Sequence, residues 1–260
     1  MVSLLQDEDS SVVKTPEQVE KMRASATLLS QCLRLLVERA LPGVSGLELD
    51  VLAEEFIRDH GAIPAFKNYG SAPGFPGSIC FSRNDVVVHG IPAASDIIED
   101  RDIITIDSGL SLDGWFADAA RLIEVGKTSE EDTKLVAASR AALQAGIDAC
   151  RVGNTLGDVS FAIQLSIGLS RYYNVIQFCG HAIGQKMHEA PRILNCGIKG
   201  TGIPLQTGMV FCLEPILLKK KSELGLRSDK WTVVTLDGSR ATHIEQMVLV
   251  TDGEPEILSA

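Results

Sequence analysis

The stretch from Ile103 to Arg121, IITIDSGLSLDGWFADAAR, constrains this chain more than any other. Two β-branched, apolar runs flank Asp113-Gly114. An Asp-Gly pair between such runs is the strongest short hairpin signal, because both turn positions want positive φ. Placing that pair at the tip sets the register: Leu112 faces Trp115, Gly109 faces Asp118 and Asp107 faces Ala120. Side chains alternate faces with period two, so Asp107, Asp118 and Ala120 share one face. The two aspartates are then diagonal neighbours, on the order of 7 Å apart at Cβ or somewhat less. Carboxylates that close repel unless one is protonated or a cation lies between them. A solvated hairpin face with ordinary surface acids would show the same pattern, so the hairpin alone leaves both readings open.

Whether such a face can be buried depends on the rest of the chain. With 260 residues and 45% hydrophobic side chains, there is material for one large domain or two small halves. No apolar run approaches the ~18 residues of a membrane span, so no membrane partner is expected. The net charge of −10 argues against a nucleic-acid surface, which is normally basic. The one basic cluster, Lys219 to Lys221, reads as a solvated hairpin tip between strands. The start, MVSLLQDEDSSVVK, has no basic n-region and no long apolar core, so a secretory leader is not expected. Residues 1–14 read as a short acidic lead, partly disordered, and residues 15–260 as a single domain. The cysteines (Cys32, Cys80, Cys150, Cys179, Cys196 and Cys212) form no C-x-x-C pair, which speaks against a zinc knuckle or a redox motif. They read as reduced thiols of a cytoplasmic protein, most of them small core hydrophobes.

The order of elements follows from caps and periodicity. Thr15-Pro16-Glu17-Gln18 is a capping box with Pro in the first turn, and the helix it opens should run to about Ala40, stopped by Leu41-Pro42-Gly43. LELDVLAEEFIRDH is a second helix, ending at Gly61. Residues 62–80 are loop-like, with glycines at 70, 74 and 77 and prolines at 64, 73 and 76. SICFSRNDVVVHGIP reads as strand, turn, strand. After the hairpin come two helices, TSEEDTKLVAASRAALQAGIDACR and TLGDVSFAIQLSIGLSRYY, then strands in NVIQFCG, GMVFCLEPILL, KWTVVTLDG and ATHIEQMVLV. Each half thus has two helices followed by strands carrying acids at their ends, which hints at an internal duplication.

Four further residues join the two aspartates. His181 lies in FCGHAIG and His188 in KMHEAP. Glu214 and Glu245 read as lying inside the apolar strands MVFCLEPILL and HIEQMVLV. A carboxylate buried there is costly unless it is paired or metal-bound, although either glutamate alone could be a half-exposed strand acid. Two glutamates, two facing aspartates and a Gly-flanked histidine together suit Mn²⁺, Fe²⁺, Co²⁺ or Zn²⁺, with enough carboxylates to bridge two ions. Two-metal sites activate a water and polarise a carbonyl across ions ~3.5–4 Å apart, which is chemistry for hydrolysing an amide. His60, at a helix C-terminus, reads as a surface residue suited to the helix dipole. His89 and His188, each taken alone, read equally as a strand-end and a satisfied core histidine. His243, two residues before Glu245, shares its strand face and reads as a neighbour of the site.

The set VVVHGIP, IDSGLSLDGWFAD, GHAIGQKMHE, FCLEP and HIEQMVLV resembles the methionine aminopeptidase family in its short type I form, from about Thr15 to the C-terminus. The resemblance implies an α/β pita-bread fold: a curved antiparallel sheet with helices on its outer face and two pseudo-twofold halves. It also implies two divalent ions (Co, Mn, Fe or Zn). Asp107 would chelate one of them, Asp118 and Glu245 would bridge both, and His181 and Glu214 would complete the other. A water held between the metals would attack the scissile carbonyl, with Glu214 as general base. His188 would stabilise the oxyanion and His89 would contact the peptide near the scissile bond. Phe75, Cys80, Met187 and Trp231 would line the methionine pocket, with Tyr69 or Phe66 close by. The implied substrate is a peptide or nascent-chain N-terminus with a small second residue. The implied protein is cytoplasmic and monomeric, with transient ribosome association at most.

The chain departs from the family pattern at a few positions. The loop NYGSAPGFPGS is about three residues longer, Met187 stands where an aromatic is common, Ala182 replaces a glycine, and Gln246 replaces a histidine. Two rivals remain. One is an Xaa-Pro aminopeptidase or prolidase on the same fold; those enzymes carry a further N-terminal domain, and only about 100 residues precede Asp107 here. The other is an inactive pita-bread binding module, which would lack ligands that this sequence keeps. A type II enzyme needs a large insertion between His181 and Glu214, which are 33 residues apart.

Overall fold

The computed structural model describes residues 12–260. The chain order is α1 (Pro16–Arg39), α2 (Gly46–Asp59), β1 (Ile63–Pro64), β2 (Ile79–Arg83), β3 (Val86–Val88), β4 (Ile103–Leu112), β5 (Trp115–Glu124), α3 (Glu130–Ala149), α4 (Leu156–Leu169), β6 (Tyr173–Asn174), β7 (Cys179–Ala182), β8 (Glu189–Leu194), β9 (Val210–Leu213), β10 (Ile216–Leu218), β11 (Leu224–Leu226), β12 (Val233–Thr235), β13 (Ala241–His243), β14 (Gln246–Leu249) and β15 (Glu256–Ile257).

The β4–β5 hairpin has the register expected from its turn: Leu112 opposite Trp115, Gly109 opposite Asp118, Asp107 opposite Ala120. Asp113 and Gly114 both take positive φ, 51° and 80°, as a primed two-residue turn demands. Both faces of the hairpin are covered. Ile104, Ile106 and Leu110, with Trp115, Ala117 and Ala119, pack against Met22, Leu29, Leu33 and Leu36 of α1, whose apolar residues recur at helical spacing. Thr105, Asp107 and Gly109 turn to the opposite face, as do Asp118 and Ala120. That face is also buried, so the acids are not on a solvated surface.

A second core repeats the arrangement. Leu135 and Leu143 of α3 and Ile163 of α4 pack on Phe211 and Leu213 of β9 and Val248 of β14. The sheets are antiparallel: β1-β4-β2 with β5 on β4, β13-β10-β6, β11-β12-β3, and β15-β14-β9-β7-β8. Each half has a helix pair on its own sheet, the echo visible in the sequence. The helices start at caps: Thr15 with Gln18, and Ser45 with Glu48, a second capping box that opens α2 at Gly46. No helix among the described residues is long and apolar enough to cross a membrane. The cysteines are free thiols, four of them buried.

Several local expectations need correcting. NVIQFCG is not one strand: only Tyr173–Asn174 and Cys179–Ala182 pair, in different sheets. Lys219 is not a solvated tip residue. It lies between β10 and β11, which belong to different sheets, and its Nζ is 2.9 Å from Asp132 Oδ1 and 3.0 Å from Glu131 Oε2 on α3. The acidic lead lies outside the described residues up to residue 11. Beyond that, Val13 bridges to Met209, and Lys14 N donates to the Gly208 carbonyl, so the end of the lead is part of the fold.

Candidate functional site

Glu214 and Glu245 do not lie inside strands. Glu214 falls between β9 and β10, and Glu245 between β13 and β14. Strand β9 pairs with β14, whereas β10 pairs with β13. Both chains therefore leave one sheet and enter another at the same level, and the two glutamates stand at that step. Pro215, which has no N–H to donate, helps end the first ladder. The freed Glu214 carbonyl accepts a hydrogen bond from Asn195 Nδ2 at 3.0 Å. Glu245 instead exchanges two backbone hydrogen bonds with Ala120, each 3.3 Å. Cys80 pairs with Asp107, Asp107 with Ala120, and Ala120 with Glu245. These four residues form a row across four segments, with Asp118 two residues from the row.

This backbone arrangement gathers the acids. Ligand oxygens of Asp107, Asp118 and Glu245 lie within 4.8 Å of one another. His181 Nε2 is 3.7 Å from Asp118 Oδ2 and 3.9 Å from Glu245 Oε1. Its Nδ1 lies 3.0 Å from the Ala182 carbonyl. A carbonyl only accepts, so Nδ1 carries the hydrogen and Nε2 turns its lone pair to the acids. The contact uses backbone, which is why alanine serves at 182. Glu214 is set apart from this tight group, and His243 links them: its Nε2 is 3.9 Å from both Glu214 Oε2 and Glu245 Oε2.

The electrostatics of this cluster call for a cation. Burial pushes Asp107 up to about 8. Burial and then neighbouring carboxylates hold Asp118, Glu214 and Glu245 well above the carboxylate range. Burial holds His181 and His243 down near 3, so both rings are neutral. Asp107 Oδ1, Asp118 Oδ1, Glu245 Oε1 and His243 Nε2 are buried without a hydrogen-bond partner. Orphaned carboxylate oxygens this close are costly unless a cation satisfies them. The donor set, hard oxygens with one or two imidazoles, fits a divalent ion.

The acids form one end of a cavity whose other walls are apolar. Phe66, Phe75, Cys80 and Met187 pack together there, with Trp231 against them. Phe75 meets Trp231 edge-on at 5.4 Å between ring centroids and Phe66 at 6.5 Å. Tyr69, His89 and His188 line the same cavity. His89 takes φ 56°, left-handed for a residue with a Cβ, and its ring stands edge-on to Phe178 and Trp231. All eleven residues expected at the site line this one cavity. Val88 and Phe178 also line it and went unread; only the place of Phe178, three residues before His181, could have pointed to it. Gln246 is held by Ser259, whose Oγ lies 2.5 Å from Gln246 Oε1.

A family model for metallopeptidase family M24 matches residues 20–252. A methionine aminopeptidase of Clostridium acetobutylicum is 40% identical over 248 residues, covering 95% of this chain and 98% of the relative. The crystal structure of methionine aminopeptidase from Rickettsia prowazekii superposes with a TM-score of 0.91 at 37% identity, covering 95% of this chain and 99% of that one. A prolidase from Pyrococcus furiosus shares the fold, with a TM-score of 0.77 at 22% identity, but this chain covers only 65% of it. The pita-bread architecture is thereby established.

Proposed function

The chain belongs to metallopeptidase family M24, among its methionine aminopeptidases, and from that premise we propose that the cavity binds an N-terminal methionine and that the acids beside it hold two divalent ions. The protein is a metal-dependent hydrolase that removes the N-terminal methionine from peptide substrates. The observation that carries the site assignment is the juxtaposition of orphaned, buried carboxylates with an apolar, aromatic pocket in a single cavity. A thioether side chain suits such polarizable walls.

In this reading Asp107, Asp118, His181, Glu214 and Glu245 would be the side chains that hold the two ions, with Asp118 and Glu245 placed to be shared between them. When bound, divalent ions supply Lewis acidity, which eases deprotonation of a water and polarises the scissile carbonyl. Glu214 takes the proton of the attacking water and passes it to the leaving amine. His188 donates an N–H to the carbonyl oxygen as it gains charge. His89, fixed in its strained turn between Phe178 and Trp231, contacts the peptide near the scissile bond. Phe75, Cys80, Met187 and Trp231 surround the methionine side chain. The same reading makes residues 15–260 one catalytic domain and the protein a cytoplasmic monomer that meets nascent chains, with transient ribosome contact at most.

The test is turnover of Met-Ala-Ser and Ala-Pro peptides after chelation, and again after adding back Mn²⁺, Fe²⁺ or Co²⁺. Release of methionine only when metal is restored is the expected result. Cleavage before proline would move the substrate to the prolidase class.

A further inference from the structure

At the cavity mouth, the Tyr69 hydroxyl lies 2.7 Å from His188 Nδ1. The loop that follows Tyr69 is closed at its base. Asn68 N donates to the Phe75 carbonyl at 2.7 Å, and Phe75 N donates to the Tyr69 carbonyl at 2.9 Å. Gly70 turns there with φ +86°, so close to Trp231 that a Cβ would meet its ring at 2.9 Å. The loop thus fixes the phenol across the mouth, its ring centroid 5.3 Å from that of His188. On the cavity side, the His188 ring stands 4.3 Å from His181, centroid to centroid, and one of its nitrogens lies within 4.8 Å of ligand atoms of Asp118 and His181.

A neutral imidazole carries one N–H, and the partner of one nitrogen decides which nitrogen has it. A phenol that donates to Nδ1 requires Nδ1 to be bare and leaves the hydrogen on Nε2. We infer that Tyr69 is a positioning residue whose O–H donates to His188 Nδ1, selects the Nε2–H tautomer and holds the ring with that N–H available to the scissile carbonyl. Tyr69 keeps its proton throughout. The inference rests on the oxyanion role proposed for His188. It assigns Tyr69 a part in turnover beyond that of a pocket wall.

The test uses the full-length protein. Tyr69→Phe keeps the ring and the loop packing, so KM for Met-Ala-Ser should stay within about twofold while kcat falls about five- to tenfold, the worth of one hydrogen bond. In a His188→Asn background the same change should add nothing, because Tyr69 acts through His188. A readout independent of turnover is the two-bond ¹H–¹⁵N spectrum of ¹⁵N-histidine-labelled protein loaded with diamagnetic Zn²⁺, with the His188 signals identified by their loss in His188→Asn. The wild type should show the Nε2–H tautomer alone and Tyr69→Phe a mixture. Full kcat in Tyr69→Phe with an impaired His188→Asn would overturn the inference and leave the oxyanion role standing, and a hydrogen on Nδ1 in the wild type would also overturn the inference. Wild-type turnover in His188→Asn would remove both.

Discussion

Replacing Asp107 by Asn should stabilise the metal-free protein and remove most of the stability that metal gives the wild type. Asp107 is buried, its Oδ1 has no partner, and burial raises it to about 8. A group whose folded pKa is raised gives its full stability below the unfolded pKa and loses it as pH rises toward the folded value. At pH 4 the folded carboxyl is protonated and the unfolded one about half so, and the cost is well under ~1 kcal/mol. At pH 7 the folded chain keeps a proton that the unfolded chain releases. The interval of about three units, at ~1.4 kcal/mol each, sets a ceiling of about 4 kcal/mol. The isosteric amide carries no such penalty. Even half the ceiling raises Tm by about 4–8 °C in a chain of this size. The assay is thermal unfolding of both proteins in chelator at pH 4, 5.5 and 7, then at pH 7 with saturating Mn²⁺. In chelator the Asn variant should melt higher at pH 7, with the gap closing toward pH 4. With Mn²⁺ the wild type should gain about 3 kcal/mol at a hundredfold excess over Kd and the variant little. A variant that melts lower in chelator at pH 7, or a gap that ignores pH, would refute the reasoning.

Three further outcomes are expected. Glu214→Gln should cut kcat at least about 100-fold, the usual worth of a general base, in the Met-Ala-Ser assay; near-normal turnover would rule out that role. Trp231→Ala opens the pocket wall against Phe75 and should raise KM for methionyl peptides about tenfold, with less effect on kcat. Lys219→Ala should cost about 1 kcal/mol in urea unfolding at pH 7. Burial pushes Asp132 up, but Ser129, Lys219 and Arg240 together outweigh it and hold the carboxyl below its usual value. That stability is present above about pH 4 and lost as pH falls through the lowered folded value, so the gap between variant and wild type should narrow steadily on acidification below about pH 4.

The parts legible in the sequence were those set by short-range rules. The hairpin register followed from Asp113-Gly114 and the period of two, and α1, which covers one of its faces, was legible in its capping box; the burial of the acidic face by the second half was not. The positions of Glu214 and Glu245 were misread, since their runs stay apolar through the step between sheets. Pro215 was a local sign of the first break, but nothing near Ile244 announces the second, which is imposed by the strand alongside it. Lys219 looked like part of a solvated charge run because its partner Asp132 is 87 residues away. Val88 and Phe178 reach the cavity only through tertiary packing, and no periodicity marks them. The chain spans 98% of the Clostridium acetobutylicum methionine aminopeptidase but 65% of the Pyrococcus furiosus prolidase.

The most direct test of the metal centre is anomalous diffraction at the manganese edge from crystals of the Mn²⁺-loaded protein. The account predicts two peaks, roughly 3.5–4 Å apart, enclosed by Asp107, Asp118, His181, Glu214 and Glu245. Manganese bound elsewhere, with no peak among those five side chains, would contradict it.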